Sequence, residues 1–154
     1  MKKFVMAAVL VCGGLMLGTT ASAQSVKLKK AWASAKEAAT EGQAEIKKAC
    51  GADIAVGFNE ASFKNLEEIE GPARWCGGSV ASGVAYMCAD ADYKAELVKK
   101  VKKVTCTYDA SLKTESKDNY GNKLELKGTE LIHVYNKDSA NVSEKVQDFL
   151  KNAL

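Results

Sequence analysis

Apolar residues along this chain follow two rhythms, a helical one over the first two thirds and a strand-like one that takes over near Val104. Leu28, Trp32, Ala35, Ala39, Ile46 and Ala49 recur at helical intervals, so Val26 to Cys50 is expected to form a long amphipathic helix. Gly42 is its weak point, and Gly51 sits where a helix C-cap belongs. Ile54 to Phe58 follows as a short strand, and Ser62 as the cap of a short helical piece turning Phe63, Leu66 and Ile69 inward. From Trp75 to Cys88 small residues dominate. After a break at Asp90 to Asp92 a further helical pattern, Tyr93, Leu97, Val98, Val101 and Val104, suggests two helices in a hairpin.

Strict alternation then begins. Val104, Cys106, Tyr108, Ala110 and Leu112 alternate with Thr105, Thr107, Asp109, Ser111 and Lys113, the period of a half-buried strand. Turn chemistry at Asp118 to Asn122, a second strand through Leu124 and Leu126, a tight turn at Gly128-Thr129 and a third strand from Leu131 to Tyr135 complete an expected three-stranded antiparallel meander. Asn141 with Glu144 reads as a helix start. Val142, Val146, Phe149, Leu150 and Ala153 lay one apolar stripe along a final helix. The expected fold class is α+β: a long N-terminal helix, a short strand, a disulfide-tied helical hairpin, a three-stranded antiparallel meander and a C-terminal helix.

The first 23 residues read differently. Lys2 and Lys3 form a positive start, Phe4 to Gly18 an apolar stretch too short to span a bilayer, and Ala21-Ser22-Ala23 a signal-peptidase pattern, so residues 1–23 are expected to be a cleaved export signal. Cys12 lies where a lipoprotein would carry its acylated cysteine, but Val9-Leu10-Val11 lacks the small residue usual before that position, and cleavage after Ala23 discards it. Residues 24–154, about 131 in number, are expected to be a single α+β domain, periplasmic or secreted, with no transmembrane segment. Without Lys2 and Lys3 the formal charge falls from +3 to about +1, which gives no case for nucleic acid.

Export changes the reading of the cysteines. Cys50, Cys76, Cys88 and Cys106 are an even set in a short exported chain, which favours two disulfides. Their gaps are wide and the only histidine is His133, so no zinc site, nor any other metal or cofactor, is expected. In the expected hairpin, Cys76 and Cys106 return to the same end, whereas Cys88 lies by the turn. Along a continuous helix at 1.5 Å per residue Cys88 is roughly 18 Å from Cys76, beyond the roughly 4.4 to 6.8 Å between bridged Cα atoms. Of the three pairings four cysteines allow, Cys50 with Cys88 and Cys76 with Cys106 is preferred, conditional on that hairpin.

Few residues suggest chemistry, and none is assigned a catalytic role. His133, on a strand beside Leu131 and Tyr135, is the one candidate general base, with packing as its simpler reading. Gly77-Gly78-Ser79-Val80-Ala81 approaches a nucleophile elbow but lacks the final glycine, and close helix packing explains its small residues better. Asp90 and Asp92 read as helix caps rather than cation ligands, and Glu60, Glu67, Glu68 and Glu70 as a solvated face. Lys99, Lys100, Lys102 and Lys103 form the most functional-looking feature, a possible anion-binding face. Val98, Val101 and Val104, interleaved with them, also make the lysines the wet side of a packed helix.

Ser82-Gly83-Val84-Ala85-Tyr86 resembles the Ser-Gly-x-x-Tyr element of the periplasmic C-type lysozyme inhibitors, small exported β-barrel proteins whose loop enters the lysozyme active site. That resemblance, over five residues, implies Ser82 and Tyr86 as inhibitory contacts. Two classes of function therefore stand. The preferred one is a non-enzymatic envelope or secreted protein that binds an envelope protein, glycan or small ligand through the open face of its sheet or the lysine-bearing helix. The alternative is a small periplasmic enzyme using His133 or, within the binding class, a lysozyme-inhibitor-like protein using Ser82 and Tyr86.

Overall fold

The computed structural model describes residues 19–113 and 121–154. Most of the expected leader, with Cys12, and the expected turn residues Asp118 to Tyr120 lie outside them. Helix α1 (Thr19–Cys50) buries Ala31, Ala35, Ala39, Gly42, Ile46 and Cys50 along one stripe. Gly51, at φ +72°, ends it by donating its N–H to the Lys47 carbonyl, 2.8 Å away. Strand β1 (Ala55–Phe58) follows, then a single helical turn, α2 (Leu66–Glu68). Asn65, not Ser62, caps that turn, its side chain accepting from the Glu68 N–H. The Ser62 hydroxyl instead donates to the Asn59 carbonyl and accepts the N–H of Tyr108.

From α2 the path stays helical through 66–87, but it includes two π-helical turns, Ile69–Ala73 and Cys76–Val80, before α3 (Ala81–Met87). Here small residues have a steric cause. A Cβ on Gly42 would lie 2.2 Å from the Gly77 carbonyl oxygen, one on Gly77 2.0 Å from that of Ala38, and one on Gly83 2.8 Å from the Val146 Cβ. α1 and the C-terminal helix thus close on α3 from two sides, nearly backbone to backbone.

Helix α4 (Ala91–Lys100) is capped by the Asp90 side chain, which accepts the Asp92 N–H. It stops at Val101, whose backbone is already extended, so Val104 belongs to strand β2 (Lys103–Tyr108). Strands β3 (Asn122–Lys127) and β4 (Glu130–Tyr135), joined through Gly128 at φ +59°, and helix α5 (Val142–Ala153) complete the fold. Asn141 precedes α5 in left-handed backbone and makes no side-chain cap.

The fold is α+β, but the sheet is mixed and its order, β1-β2-β4-β3, corrects the expected meander. Only β3 and β4 are antiparallel; β2 runs parallel to both β1 and β4. The reason lies in the side chains. β4 buries Leu131, His133 and Tyr135 and suits an interior position, whereas β3 carries Lys123, Glu125 and Lys127 opposite its core face and suits an edge. The alternation after Tyr108 is not strand either: Asp109 accepts from both the N–H and the hydroxyl of Ser111, forming a turn.

Disulfides join Cys50 to Cys88 and Cys76 to Cys106, with Cα atoms 5.0 and 5.9 Å apart. The first ties α1 to the end of α3. The second ties a π-helical turn to β2, so neither bond links α3 to α4 as the expected hairpin required. Between the helices and the sheet an aromatic cluster fills the core. Phe63 sits 5.5 Å from Trp32, 5.7 Å from Tyr108 and 6.3 Å from Tyr135, centroid to centroid. A four-stranded sheet backed by helices is not the eight-stranded barrel that the lysozyme-inhibitor resemblance implies, and Ser82 and Tyr86 lie on a helix rather than a loop.

Candidate functional site

His133 reaches the core because β4 alternates, and its side chain is completely shielded from solvent. The Asn122 amide donates to the Ala140 carbonyl, 2.9 Å away, which turns its oxygen toward the imidazole. His133 therefore carries its proton on Nε2, donated to Asn122 Oδ1 over 2.9 Å, while buried Nδ1 has no hydrogen-bond partner. Burial lowers the imidazole pKa to about 3, so the ring is neutral across the physiological range. Its face stacks on Tyr135 at 4.9 Å, and the Tyr135 hydroxyl, its own pKa raised by burial, donates to the Pro72 carbonyl over 2.7 Å. None of the described clefts is lined by His133. The one candidate base is packed away from substrate and solvent.

The other candidates are also accounted for locally. Gly77 to Ala81 runs through a π-helical turn into α3, not from a strand into a helix, and so has no nucleophile-elbow geometry. Lys99 and Lys100 each approach Glu96, at 3.8 and 3.9 Å, and Lys100 also donates to the Leu154 carbonyl over 2.6 Å. Lys102 donates to the Val98 carbonyl, and Lys103 lies 2.8 Å from Glu130. Hydrogen bonds from Lys103 and Thr105 hold the Glu130 carboxyl below the usual carboxylate range. Each of the four ammonium groups thus has a protein partner, but only two carboxylates, Glu96 and Glu130, are shared among them. Glu60 pairs with Lys36 at 2.8 Å, and Glu68 accepts from Asn65 at 2.8 Å, within the α2 cap. Among the described residues, no three His, Cys, Asp or Glu side chains are grouped to hold a metal ion, and no helix is long and apolar enough to cross a membrane.

The open face of the sheet presents half-buried Thr105, Thr107, Ile132 and Val134, fringed by Lys123, Glu125 and Lys127. None of the described clefts is lined by these residues. Two clefts border Tyr108 at the end of β2, and the others lie on the helical side, one of about 500 Å³ between α1 and the π-helical turns. α3 forms a floor between α1 and α5, and two clefts open along it, of about 490 and 470 Å³. The first is bounded by Glu45, Lys48 and Ala49 of α1, Ser82 and Ala85 of α3, and Ser143 and Gln147 of α5; the second by Met87, Asp90, Tyr93 and Lys151. Tyr86 borders both.

Tyr86 is 62 % exposed, the more exposed of two large apolar side chains, with Val26, that stand out among the described residues. One helical turn before it, the Ser82 hydroxyl lies 3.2 Å from both carboxylate oxygens of Glu45, and across the groove Gln147 donates to Ser143 over 3.2 Å. Ser82 and Tyr86 were visible in the sequence as an i, i+4 pair. Their companions on α1 and α5 were not, because residues nearly a hundred positions apart meet only through helix packing. Comparison of the chain with protein-family models, with curated proteins and with solved structures finds no match.

Proposed function

We propose that this protein is an exported binding protein, periplasmic or secreted, that acts by recognition rather than catalysis, through the groove over α3. The observation that carries the reading is the burial of His133. The chain's only histidine is sealed in the core as a neutral ring, while Tyr86, the exposed aromatic side chain that stands out among the described residues, borders two clefts over α3. General acid–base work needs a titratable group within hydrogen-bond reach of substrate, and His133 has none to offer. Two disulfides and the leader-like start support an oxidising destination. The lysines at 99, 100, 102 and 103 support it less as an anion-binding face, because each already has a protein partner and Glu96 and Glu130 offset part of their charge.

The test is capture from cell-envelope extract on immobilised oxidised protein, wild type beside His133→Gln, at low and high salt. The expected result is one component retained by both proteins, unconverted and still held at high salt, since the groove is not a cluster of exposed like charges. A component chemically converted by the wild type and left intact by His133→Gln would overturn the reading.

A further inference from the structure

The groove over α3 has three properties that together narrow its ligand. Its charges offset one another: Glu45 and Asp90 face Lys48 and Lys151, so no net field selects a polyanion or a cation. Its centre is an aromatic ring in open solvent, flanked by planar or hydroxyl-bearing groups, Glu45, Ser82 and Gln147. Beside that ring the only apolar lining of its first cleft is Ala49 and Ala85, which offer small methyl surfaces and no large apolar side chain.

A neutral ligand that offers a flat C–H face, several hydroxyls and a small methyl-bearing amide matches all three. A peptide matches poorly, because it binds by adding to a strand edge or by seating large apolar anchors, and the groove is helical with an alanine floor. We infer that the groove is a carbohydrate subsite for a glycan of N-acetylated amino sugars: Tyr86 stacks on one sugar ring, Glu45, Ser82 and Gln147 hydrogen-bond its polar groups, and the acetamido methyl rests on Ala49 and Ala85. Ser82 and Tyr86 are one helical turn apart, about 6 Å, which is the scale of a single ring. The Ser82–Glu45 hydrogen bond aligns that carboxylate before the sugar arrives and leaves it further lone pairs for sugar hydroxyls.

This inference rests on the binding reading above, and its test separates the two. N-acetylchitotetraose is titrated into 15N-labelled oxidised protein, wild type and the Tyr86→Ala, Tyr86→Phe and Ser82→Ala variants, with the sugar recovered and chromatographed afterwards. The inference predicts amide shifts confined to 45–49, 82–90 and 143–151. Tyr86→Ala weakens binding by about tenfold, in line with an aromatic contact near the top of the usual range; Tyr86→Phe restores the wild-type affinity and Ser82→Ala weakens it less than Tyr86→Ala. Tyr86 is exposed, so thermal unfolding of its variants should match the wild type. Absence of binding, shifts centred on the sheet face, or binding unchanged in Tyr86→Ala would each overturn the inference. Recovery of cleaved sugar would instead overturn the non-catalytic reading, whereas absence of binding without cleavage leaves that reading standing.

Discussion

His133 exchanges water for an amide partner on one nitrogen only, and that asymmetry has a pH signature. In the unfolded chain the imidazole takes up a proton near pH 6.5; in the core it does so only near 3. Between those values the unfolded state holds the extra proton. The contribution is therefore complete above about pH 6.5 and declines by about 1.4 kcal/mol per unit as the pH falls toward 3. From pH 6.5 to 5 the wild type should lose about 2 kcal/mol from this source, and His133→Gln should remove that component. Urea unfolding at pH 5, 6 and 7 checks it: parallel pH dependence in the two proteins would contradict a buried neutral histidine. The sequence placed His133 on a strand between Leu131 and Tyr135, and the alternation of β4 turns all three inward. What the sequence could not give is the partner, since Asn122 faces His133 only through the β3–β4 register, which pairs Leu124 with it and sets Asn122 one step away.

Elements with a strong period were legible one at a time. α1, α5 and the three later strands follow from apolar spacing, and the turns at Gly51 and Gly128 from their glycines. Their assembly was less so. Consecutive strands usually pair, which suggests a meander, but the charged β3 takes the edge and the more apolar β4 displaces it from β2. The helices expected around Leu66 and over Trp75 to Cys88 are present, but their continuity through two π-helical turns and their packing on α1 were hidden for a different reason. Gly77 and Ala81 are small because α1 closes on them at Gly42 and Ala38, a reason that apolar spacing does not reveal. That contact predicts a reversal of ordinary helix propensity. In an open helix Gly→Ala gains up to about 1 kcal/mol, but Gly42→Ala should destabilise by about 1 to 3 kcal/mol, the cost of overpacking, because its Cβ would meet the Gly77 carbonyl. Gly78→Ala, with nothing within 4 Å of its Cβ, should be near neutral. Thermal unfolding distinguishes them, and equal midpoints for the two variants would contradict the close packing of α1 on the π-helical turn.

Across the whole molecule, the two disulfides brace elements that the chain order separates. Cys50–Cys88 spans 38 residues and holds α3 to α1, where the floor of the groove meets one wall; Cys76–Cys106 spans 30 and holds the helical layer to the sheet. On the chain-entropy account loops of this length contribute about 4 kcal/mol each. Cys50→Ala with Cys88→Ala should lower stability on that scale, and should also weaken ligand binding by loosening α1 against α3. Cys76→Ala with Cys106→Ala should lower stability without that selective loss of binding at a temperature where both variants remain folded. Equal binding in the two double variants would contradict a groove held by the first bridge. The central claim is that the domain works outside the reducing cytoplasm, and one measurement addresses it most directly. Cells expressing the full chain are fractionated, and the extracytoplasmic protein is taken for intact mass and a non-reducing peptide map. The account predicts a chain beginning at Gln24, four hydrogens lighter than its reduced mass, with Cys50 linked to Cys88 and Cys76 to Cys106. A chain retained in the cytoplasm with Met1 in place and free thiols at those cysteines would contradict it.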